Sequence, residues 1–177
     1  MIDVSLSSKA CTLRAPTRLD AAAIAKHADD RDVWLNLRDA FPHPYTMEDA
    51  NRWTDALSSQ SPRYDFAIDV DESVVGGIGL KRGQDIERCS AEVGYWLGKE
   101  YWGRGIASAA LRLVCDYAFE QLALQRIFAV PMVRNVASLR VLEKAGFDRE
   151  GTLRNACIKD GRLTDMAMCA RIRGASS

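Results

Sequence analysis

Trp102-Gly103-Arg104-Gly105-Ile106-Ala107-Ser108 is the most informative stretch of this 177-residue chain. It follows a predicted strand over residues 91–97, and it opens the best predicted helix, Ile106 to Leu122, in which apolar residues recur at helical spacing. Glycines let backbone N–H groups approach an anion, and the N-terminus of a helix favours negative charge. The stretch therefore predicts a binding loop for a phosphate or pyrophosphate.

Two other interpretations of this loop are open on the residues alone. One is a plain turn between a strand and a helix, which a lone Gly-x-Gly often is. The other is a dinucleotide fingerprint, GxGxxG, in a nucleotide-binding reductase. The segment Gly103-x-Gly105-x-x-Ser108 keeps only the first two glycines, and the following strand carries no acid at its end. The residues therefore favour a phosphate loop of another kind.

The segments on either side of the loop carry polar residues in informative positions. Alternation along the preceding strand places Val93, Tyr95 and Leu97 on one face of the sheet and Glu92, Gly94 and Trp96 on the other. About thirty residues after the loop, Asn135 is predicted to cap a helix over residues 136–145, which Gly146 ends.

The rest of the pattern predicts helices first, then a meander, then strand-helix-strand-helix and a terminal hairpin. Helices are expected at Leu19 to Ala28, at Asp32 to Arg38, and from the cap Thr46 to Leu57. Strands are expected at residues 12–15, 64–70, 74–81, 127–130 and from Phe147 onward. A hairpin turn is expected at Lys159-Asp160-Gly161-Arg162. This order predicts an α/β chain of the mixed α+β type with a largely antiparallel sheet.

Composition excludes several classes of protein. The formal net charge is zero and the pI is about 6.7, so no overall basic footprint for nucleic acid is present. The five cysteines include no CxxC pair and there are only two histidines. We therefore expect free thiols in a reducing compartment, with neither a metal site nor a disulfide framework.

The expected organisation is one domain over residues 1–177, because no repeat, linker or low-complexity tract divides the chain. The first ten residues have no apolar core, which argues against a signal peptide, and no apolar run approaches the roughly 18 residues of a membrane span. A cytoplasmic protein without membrane association is the expectation.

Taken together, these motifs resemble the GNAT family, the Gcn5-related N-acetyltransferases, and most closely the RimJ/RimL-like enzymes that acetylate ribosomal-protein N-termini. The resemblance runs from about Leu13 to Ile172. The loop combined with Asn135-x-x-Ser138 and Gly146-Phe147 at this spacing carries it, and Phe41-Pro42-His43-Pro44-Tyr45 and Gly161-x-x-x-Asp165 support the subgroup. It implies the GNAT fold, a central, mostly antiparallel, twisted sheet with helices on both faces.

The resemblance also implies acetyl-CoA as the acyl donor and assigns its contacts. Gly105 and Ala107 match the last positions of the family's phosphate loop, and Trp102 stands where Gln or Arg is usual. The pyrophosphate is therefore expected on the backbone amides of the loop. The implied cofactor-binding set is Trp96, Leu97, Trp102, Gly103, Arg104, Gly105, Ile106, Ala107, Ser108 and Asn135, in which Trp96 and Leu97 belong to the strand that pairs with the pantetheine arm.

The implied catalytic residues are Glu92 and Ser138. Glu92 matches the general base of histone-type members, although an edge-exposed carboxylate without a role is an equal alternative. Ser138 matches a serine proposed to serve the leaving thiolate. Leu142 stands where the family's usual tyrosine acid would be. His43 and Tyr45 lie in a loop expected near the acceptor, although a plain surface loop is the alternative for His43.

The expected reaction is direct attack of a primary amine on the thioester in a ternary complex. Deprotonating an α-amine at pH 7 costs about 1 kcal/mol, against about 4.6 kcal/mol for a lysine amine. This difference favours a protein N-terminal α-amine, while amino acids, polyamines and amino sugars stay open. A monomer or a homodimer is compatible with the sequence. A non-catalytic acetyl-CoA sensor or partner module on the same scaffold is the alternative function.

Overall fold

One sheet of eight strands runs through residues 4–174, the part of the chain that the computed structural model describes. The strands are β1 (Leu6–Ser7), β2 (Thr12–Arg14), β3 (Asp65–Val70), β4 (Ser73–Arg82), β5 (Ser90–Leu97), β6 (Arg126–Ala129), β7 (Asp148–Lys159) and β8 (Arg162–Ile172). The helices are α1 (Ala21–Ala28), α2 (Arg31–Trp34), α3 (Met47–Ser58), α4 (Ile106–Glu120) and α5 (Val136–Lys144).

The strand order is β1-β2-β3-β4-β5-β6-β8-β7. Every neighbouring pair is antiparallel except β5 and β6, which are parallel. Helix α4 forms the crossover between those two strands, as a parallel connection requires. The predicted mixed fold with a mostly antiparallel sheet is confirmed.

Helices cover both faces of the sheet because its central strands alternate between two apolar cores. On β3, Phe66 and Ile68 belong to the core that includes the apolar face of α4. Ala67, between them, belongs to a smaller core formed with α1 and α3. The expected placement of helices on both faces is therefore also confirmed.

The helix predicted over Asp32 to Arg38 is shorter than expected, since α2 ends at Trp34. The backbone carbonyl of Leu35, which a longer helix would use internally, accepts a hydrogen bond of 3.0 Å from the Arg134 guanidinium. Arg38 and Asp39 then point to partners on β5 and β7. Tertiary contacts thus end the helix where local propensity would continue it.

The ends of the other helices follow the sequence closely. At the start of α3, Thr46 Oγ1 accepts from the backbone N–H of Asp49 at 3.2 Å, and Asp49 accepts from the backbone N–H of Thr46 at 2.8 Å. This reciprocal capping box confirms Thr46 as the cap of the predicted helix. The two-residue strand β1 was not predicted, because so short a segment shows no alternation.

The cysteines are free thiols in the structure, with Cys11, Cys115 and Cys169 buried. Burial raises the pKa of the Cys115 thiol to about 12, so this side chain behaves as a small apolar residue of the core. Within residues 4–174, no helix is long and apolar enough to cross a membrane.

An ion-pair network ties β2 to β3 and to the turn before α1. Arg14 Nε donates to Asp69 at 2.7 Å, and its two terminal nitrogens donate to Asp20 at 2.9 and 2.8 Å. Asp20 also accepts from the backbone N–H of Thr17 at 2.7 Å. Burial alone would raise the pKa of Asp20, but the bonds from Arg14 and Thr17 outweigh it and lower the pKa.

We expect Asp20→Asn to lower the free energy of unfolding by about 1–2 kcal/mol at pH 7, because it weakens charged hydrogen bonds at a site that is 11% exposed. A depressed pKa in the folded state stabilises the protein fully above the unfolded-state pKa of about 3.9, and this contribution decreases as the pH falls from there through the folded-state pKa. Urea unfolding at pH 7 and pH 3 should therefore show a smaller difference at pH 3 than at pH 7.

The matched control is Asp55→Asn, which breaks the exposed pair with Arg18. Exposed pairs contribute little, so its unfolding curve should superimpose on that of the wild type. An Asp20→Asn protein as stable as the wild type at pH 7 would contradict the role given to the network.

Candidate active site

The two parallel strands in the middle of the sheet separate soon after they meet. β5 and β6 pair only from Ser90 to Glu92 on one side and from Arg126 to Phe128 on the other. Beyond Glu92, β5 continues to Leu97 paired with β4 alone among the described strands. Its other edge faces an opening in the sheet, where backbone groups are available to a ligand.

β6 ends at Ala129, and the chain after it stays beside β8 and no longer pairs with β5. Pro131, which has no N–H for a strand ladder, accepts a hydrogen bond of 2.8 Å from the backbone of Ala167. Met132 forms an isolated bridge with Met166. The sheet thus opens on the side of β5 that carries the predicted site residues.

A cavity of about 1300 Å³ fills this opening. It exceeds the usual 300–1,000 Å³ of a small-molecule pocket, so it has room for a long donor together with an acceptor. Both predicted catalytic residues and all but one of the predicted cofactor residues line it: Glu92, Ser138, Trp96, Leu97, Trp102, Gly103, Gly105, Ile106, Ala107, Ser108 and Asn135.

One end of the cavity is the first turn of α4. Gly103 and Gly105 have φ angles of +74° and +78°, a left-handed conformation that favours glycine. The first helical hydrogen bond in this turn runs from the N–H of Ala109 to the carbonyl of Gly105. The N–H groups of Ile106, Ala107 and Ser108 precede that bond and have no partner within the helix. This end of the cavity is suited to an anion.

Trp102 and Arg104 behave differently from the other loop residues. The Trp102 indole N–H donates to the backbone carbonyl of Leu97 at 2.8 Å and thereby joins the loop to β5. The Arg104 guanidinium lies 5.1 Å from the centre of the Tyr101 ring, and Arg104 is the one predicted cofactor residue that does not line the cavity. The groups that this loop offers to an anion are therefore its backbone amides rather than these two side chains.

Glu92 lies at the other end of the cavity, on the predicted face of β5. Its carboxyl is 24% exposed, and its Oε1 accepts a hydrogen bond of 2.5 Å from the Arg38 guanidinium. Lys81 stands directly opposite Glu92 in the register of β4 and β5. The Oε2 atom has no protein hydrogen bond within residues 4–174 and is available to a ligand.

Ser138 lies in the first turn of α5 and is fixed there by two contacts. The Asn135 side chain accepts from the backbone N–H of Ser138 at 3.0 Å, which confirms the predicted cap. The Ser138 hydroxyl lies 2.7 Å from the Tyr95 hydroxyl. Burial raises the pKa of Tyr95 to about 12, so its phenol is neutral at physiological pH. Leu142, at the usual tyrosine position, is buried in the core.

The segment of residues 31–39 forms one wall of the cavity and is held by the tip of the β7–β8 hairpin. Lys159 is 3% exposed; its Nζ donates to Asp39 at 2.7 Å and lies 3.5 Å from the centre of the Trp34 ring. Arg31 adds a hydrogen bond of 2.9 Å to Asp160. These contacts fix the wall that also carries Arg38.

The loop of residues 41–45 borders the cavity through Phe41, whose ring centre lies 5.6 Å from that of Trp96. The His43 ring stacks on Trp34, with Nδ1 3.5 Å from Asp29. Tyr45 is buried with α1 and α3. Neither residue lines the cavity, because their rings fill the space between these elements. Within the described chain, no cluster of three or more His, Cys, Asp or Glu side chains is arranged to hold a metal ion.

Three contributors to the site were not singled out in the sequence: Arg38, Lys159 and Tyr95. Arg38 and Lys159 are each followed directly by an aspartate in the sequence, and nothing local marks either of them as part of a site. Tyr95 had a usable signal, since a tyrosine on the core face of a strand needs a partner for its hydroxyl.

Comparison with known proteins agrees with this geometry. Residues 11–148 match the acetyltransferase (GNAT) domain family. The uncharacterized N-acetyltransferase p20 of Bacillus licheniformis is 30% identical over 96% of both chains. The ribosomal-protein-serine acetyltransferase of Escherichia coli (strain K12) is 31% identical over 60% of this chain and 59% of that one. Other relatives, from Bacillus subtilis, align over about half of their own length.

Solved structures extend the similarity to the fold. Mycobacterium smegmatis RimJ, determined in complex with CoA-disulfide, is 26% identical, with a TM-score of 0.82 over 97% of this chain and 87% of that one. The chain belongs to the GNAT family of N-acetyltransferases, and ribosomal-protein acetyltransferases of the RimJ and RimL type are among its relatives.

Proposed function

We propose that this protein transfers the acetyl group of acetyl-CoA to the α-amine of a protein or peptide N-terminus. The observation that carries the proposal is the single cavity that joins the N-terminal turn of α4 to Glu92 and Ser138. One end offers backbone donors for an anion, and the other offers a carboxylate and a hydroxyl. The continuous sheet supports one acetyltransferase domain over residues 1–177.

The residues present fit acetyl-CoA as the donor substrate. Its pyrophosphate would accept from the free N–H groups at the start of α4, and the open edge of β5 beside Trp96 and Leu97 would pair with the amide-containing pantetheine arm. The relative RimJ, whose structure contains CoA as a disulfide, supports this assignment. Acetyl-CoA supplies an activated acetyl group, and the chain supplies position and proton transfer.

In this reaction Glu92 takes the proton of the attacking amine at Oε2, the oxygen that Arg38 leaves free. The bond from Arg38 fixes the direction of the carboxyl group while the proton moves. Ser138 donates a hydrogen bond to the departing sulfur, which lowers the cost of the charge that develops there. No covalent bond to the enzyme is needed, and none of the cysteines takes part.

An α-amine is the acceptor that this machinery suits best. Three carboxylates line the cavity, those of Asp39, Asp65 and Glu92. Asp39 accepts from Lys159 and Asp65 from Gln60, so we assign the base to Glu92, and Leu142 replaces the usual tyrosine acid. A weak base is sufficient for an amine whose pKa is about 7.8, and it is poorly matched to a lysine amine near 10.4. The relative named as a ribosomal-protein-serine acetyltransferase also supports a protein acceptor.

The function is tested directly by incubating the protein with acetyl-CoA and a panel of amines, and following free thiol. The panel contains peptides with free N-termini, the same peptides blocked at the N-terminus but carrying lysine, amino acids, polyamines and amino sugars. The proposal expects the fastest thiol release with free N-termini. Tight donor binding with no thiol release on any amine would instead indicate a sensor or partner module.

We expect Gly105→Val to weaken CoA binding about tenfold or more, measured by calorimetry. A β-branched residue is strained at φ +78° by roughly 1–3 kcal/mol, and relief of this strain would move the amides that hold the pyrophosphate. Gly151→Val is the matched control, because Gly151 lies in β7 with open space around it and no positive φ. Equal affinities in the two variants would contradict the phosphate-loop assignment.

We expect Glu92→Gln to lower kcat/KM by about 10²- to 10⁴-fold at neutral pH, the range of general-base catalysis. Glutamine keeps an oxygen acceptor for Arg38 but no longer takes a proton. The loss should shrink as the pH rises toward the pKa of the amine, because the free amine needs no base, and the affinity for CoA should not change.

The control for this change is Glu143→Gln, on the exposed side of α5 and outside the cavity. Its pH–rate profile should match the wild type. If Glu92→Gln also kept the wild-type profile, Glu92 would not be the base.

We expect Ser138→Ala to lower kcat about 10- to 100-fold while the KM for acetyl-CoA changes little. The hydroxyl interacts with a charge that forms late, so its loss affects the transition state more than the bound substrate. Steady-state kinetics with the best acceptor of the panel measure both constants. A larger effect on KM than on kcat would instead make Ser138 a binding residue.

A further inference from the structure

The hydroxyl groups of Tyr95 and Ser138 form a contact that the reaction described so far does not explain. Tyr95 is on β5 and Ser138 is in the first turn of α5, with their oxygens 2.7 Å apart. Within the described residues, this is the one hydrogen bond of the Ser138 side chain to the protein. Ser138 is the third residue of α5, so the residue four positions earlier lies before the helix, and the hydroxyl bonds to Tyr95.

The two hydroxyl protons of this pair can be arranged in two ways, because either oxygen can be the donor. If Ser138 donates to Tyr95, the phenol proton can reach only the backbone carbonyl of Ser138, at 3.5 Å, and the serine has no proton for a ligand. If Tyr95 donates to Ser138 Oγ, the serine proton is free to point into the cavity. The second arrangement is favoured because a phenol is the stronger donor and its bond polarises the serine O–H.

We propose that Tyr95 is a positioning residue for catalysis, whose hydroxyl donates to Ser138 Oγ and thereby directs the serine proton toward the departing sulfur of the acyl donor. The inference rests on the proposed function, since it needs a sulfur that leaves beside Ser138. Burial keeps the phenol neutral, with a pKa of about 12, so it remains a donor throughout the working pH range.

The atoms balance without any further reactant. The amine nitrogen forms its bond to the acetyl carbon and loses one proton to Glu92, while the carbon–sulfur bond breaks with its electron pair on sulfur. Ser138 donates a hydrogen bond to that sulfur, and Tyr95 donates one to Ser138. Tyr95 itself gives up no proton, and the thiolate takes its proton from water after it leaves.

The test is a double-mutant cycle of Tyr95→Phe and Ser138→Ala, read separately in kcat and in the KM for acetyl-CoA. Tyr95→Phe removes one oxygen and keeps the ring. The loss of a hydrogen bond worth about 0.5–1.5 kcal/mol corresponds to roughly a 2- to 12-fold lower kcat, with KM unchanged. In the Ser138→Ala background, the same change should alter kcat by less than about twofold, because the group that Tyr95 positions is gone.

Two measures separate this effect from damage to the fold. Rates are divided by the fraction of protein that binds CoA in calorimetry, and a second variant, Tyr95→Met, also removes the hydroxyl with a side chain that adapts to the core. Tyr117→Phe is the matched control, because Tyr117 is also buried but lies in the last turn of α4 and outside the cavity. It should keep the wild-type kcat.

The outcomes distinguish the two proposals. A wild-type kcat in Ser138→Ala overturns the role of the serine and, with it, this inference. A loss in Ser138→Ala combined with a wild-type kcat in Tyr95→Phe overturns the inference alone. Equal losses on Tyr95→Phe in both backgrounds, or an effect confined to KM, also overturn it, since Tyr95 would then act independently of Ser138 or only through donor binding.

Discussion

The early separation of β5 from β6 is the constraint on which the rest of this structure depends. Parallel strands normally pair along their length, and here the pairing ends after Glu92 and Phe128. The unpaired edge of β5 would be a liability on a free surface. Inside the opening it is shielded by α4 and α5, and its backbone groups are available to a substrate that carries amides of its own. Three features follow from this opening: the position of α4, the path of the chain beside β8 after β6, and the contact from β5 to α5.

The two ends of the cavity are built by different means. At the end that we propose for the acyl donor, the polar groups are backbone amides, fixed by glycine conformation and by the start of a helix. At the end that we propose for the acceptor, they are side chains held by ion pairs, with Arg38 on Glu92 and Lys159 on Asp39. This contrast suits a family in which the donor is constant and the acceptor differs from member to member.

The same contrast explains what could be predicted from the sequence. The loop at Gly103 and Gly105, the cap at Asn135 and the face occupied by Glu92 are encoded by neighbouring residues, and the structure agrees with each. The bond from Arg38 to Glu92 spans 54 residues, that from Tyr95 to Ser138 spans 43, and that from Lys159 to Asp39 spans 120. No local pattern encodes such contacts, and they arise only when the chain is packed. The short α2 was mispredicted for the same reason.

The cap of α5 has a consequence for anyone who sets out to stabilise this protein. In α3 the third residue of the helix is Asp49, which bonds back to the cap and completes a reciprocal pair. The equivalent position in α5 is Ser138, whose side chain turns to Tyr95 and leaves the cap one-sided. A design method guided by helix propensity would replace this serine with glutamate or glutamine to complete the pair. The substituted protein would gain a better helix and lose the hydroxyl for which we propose a catalytic role, a conflict between stability and activity confined to one residue.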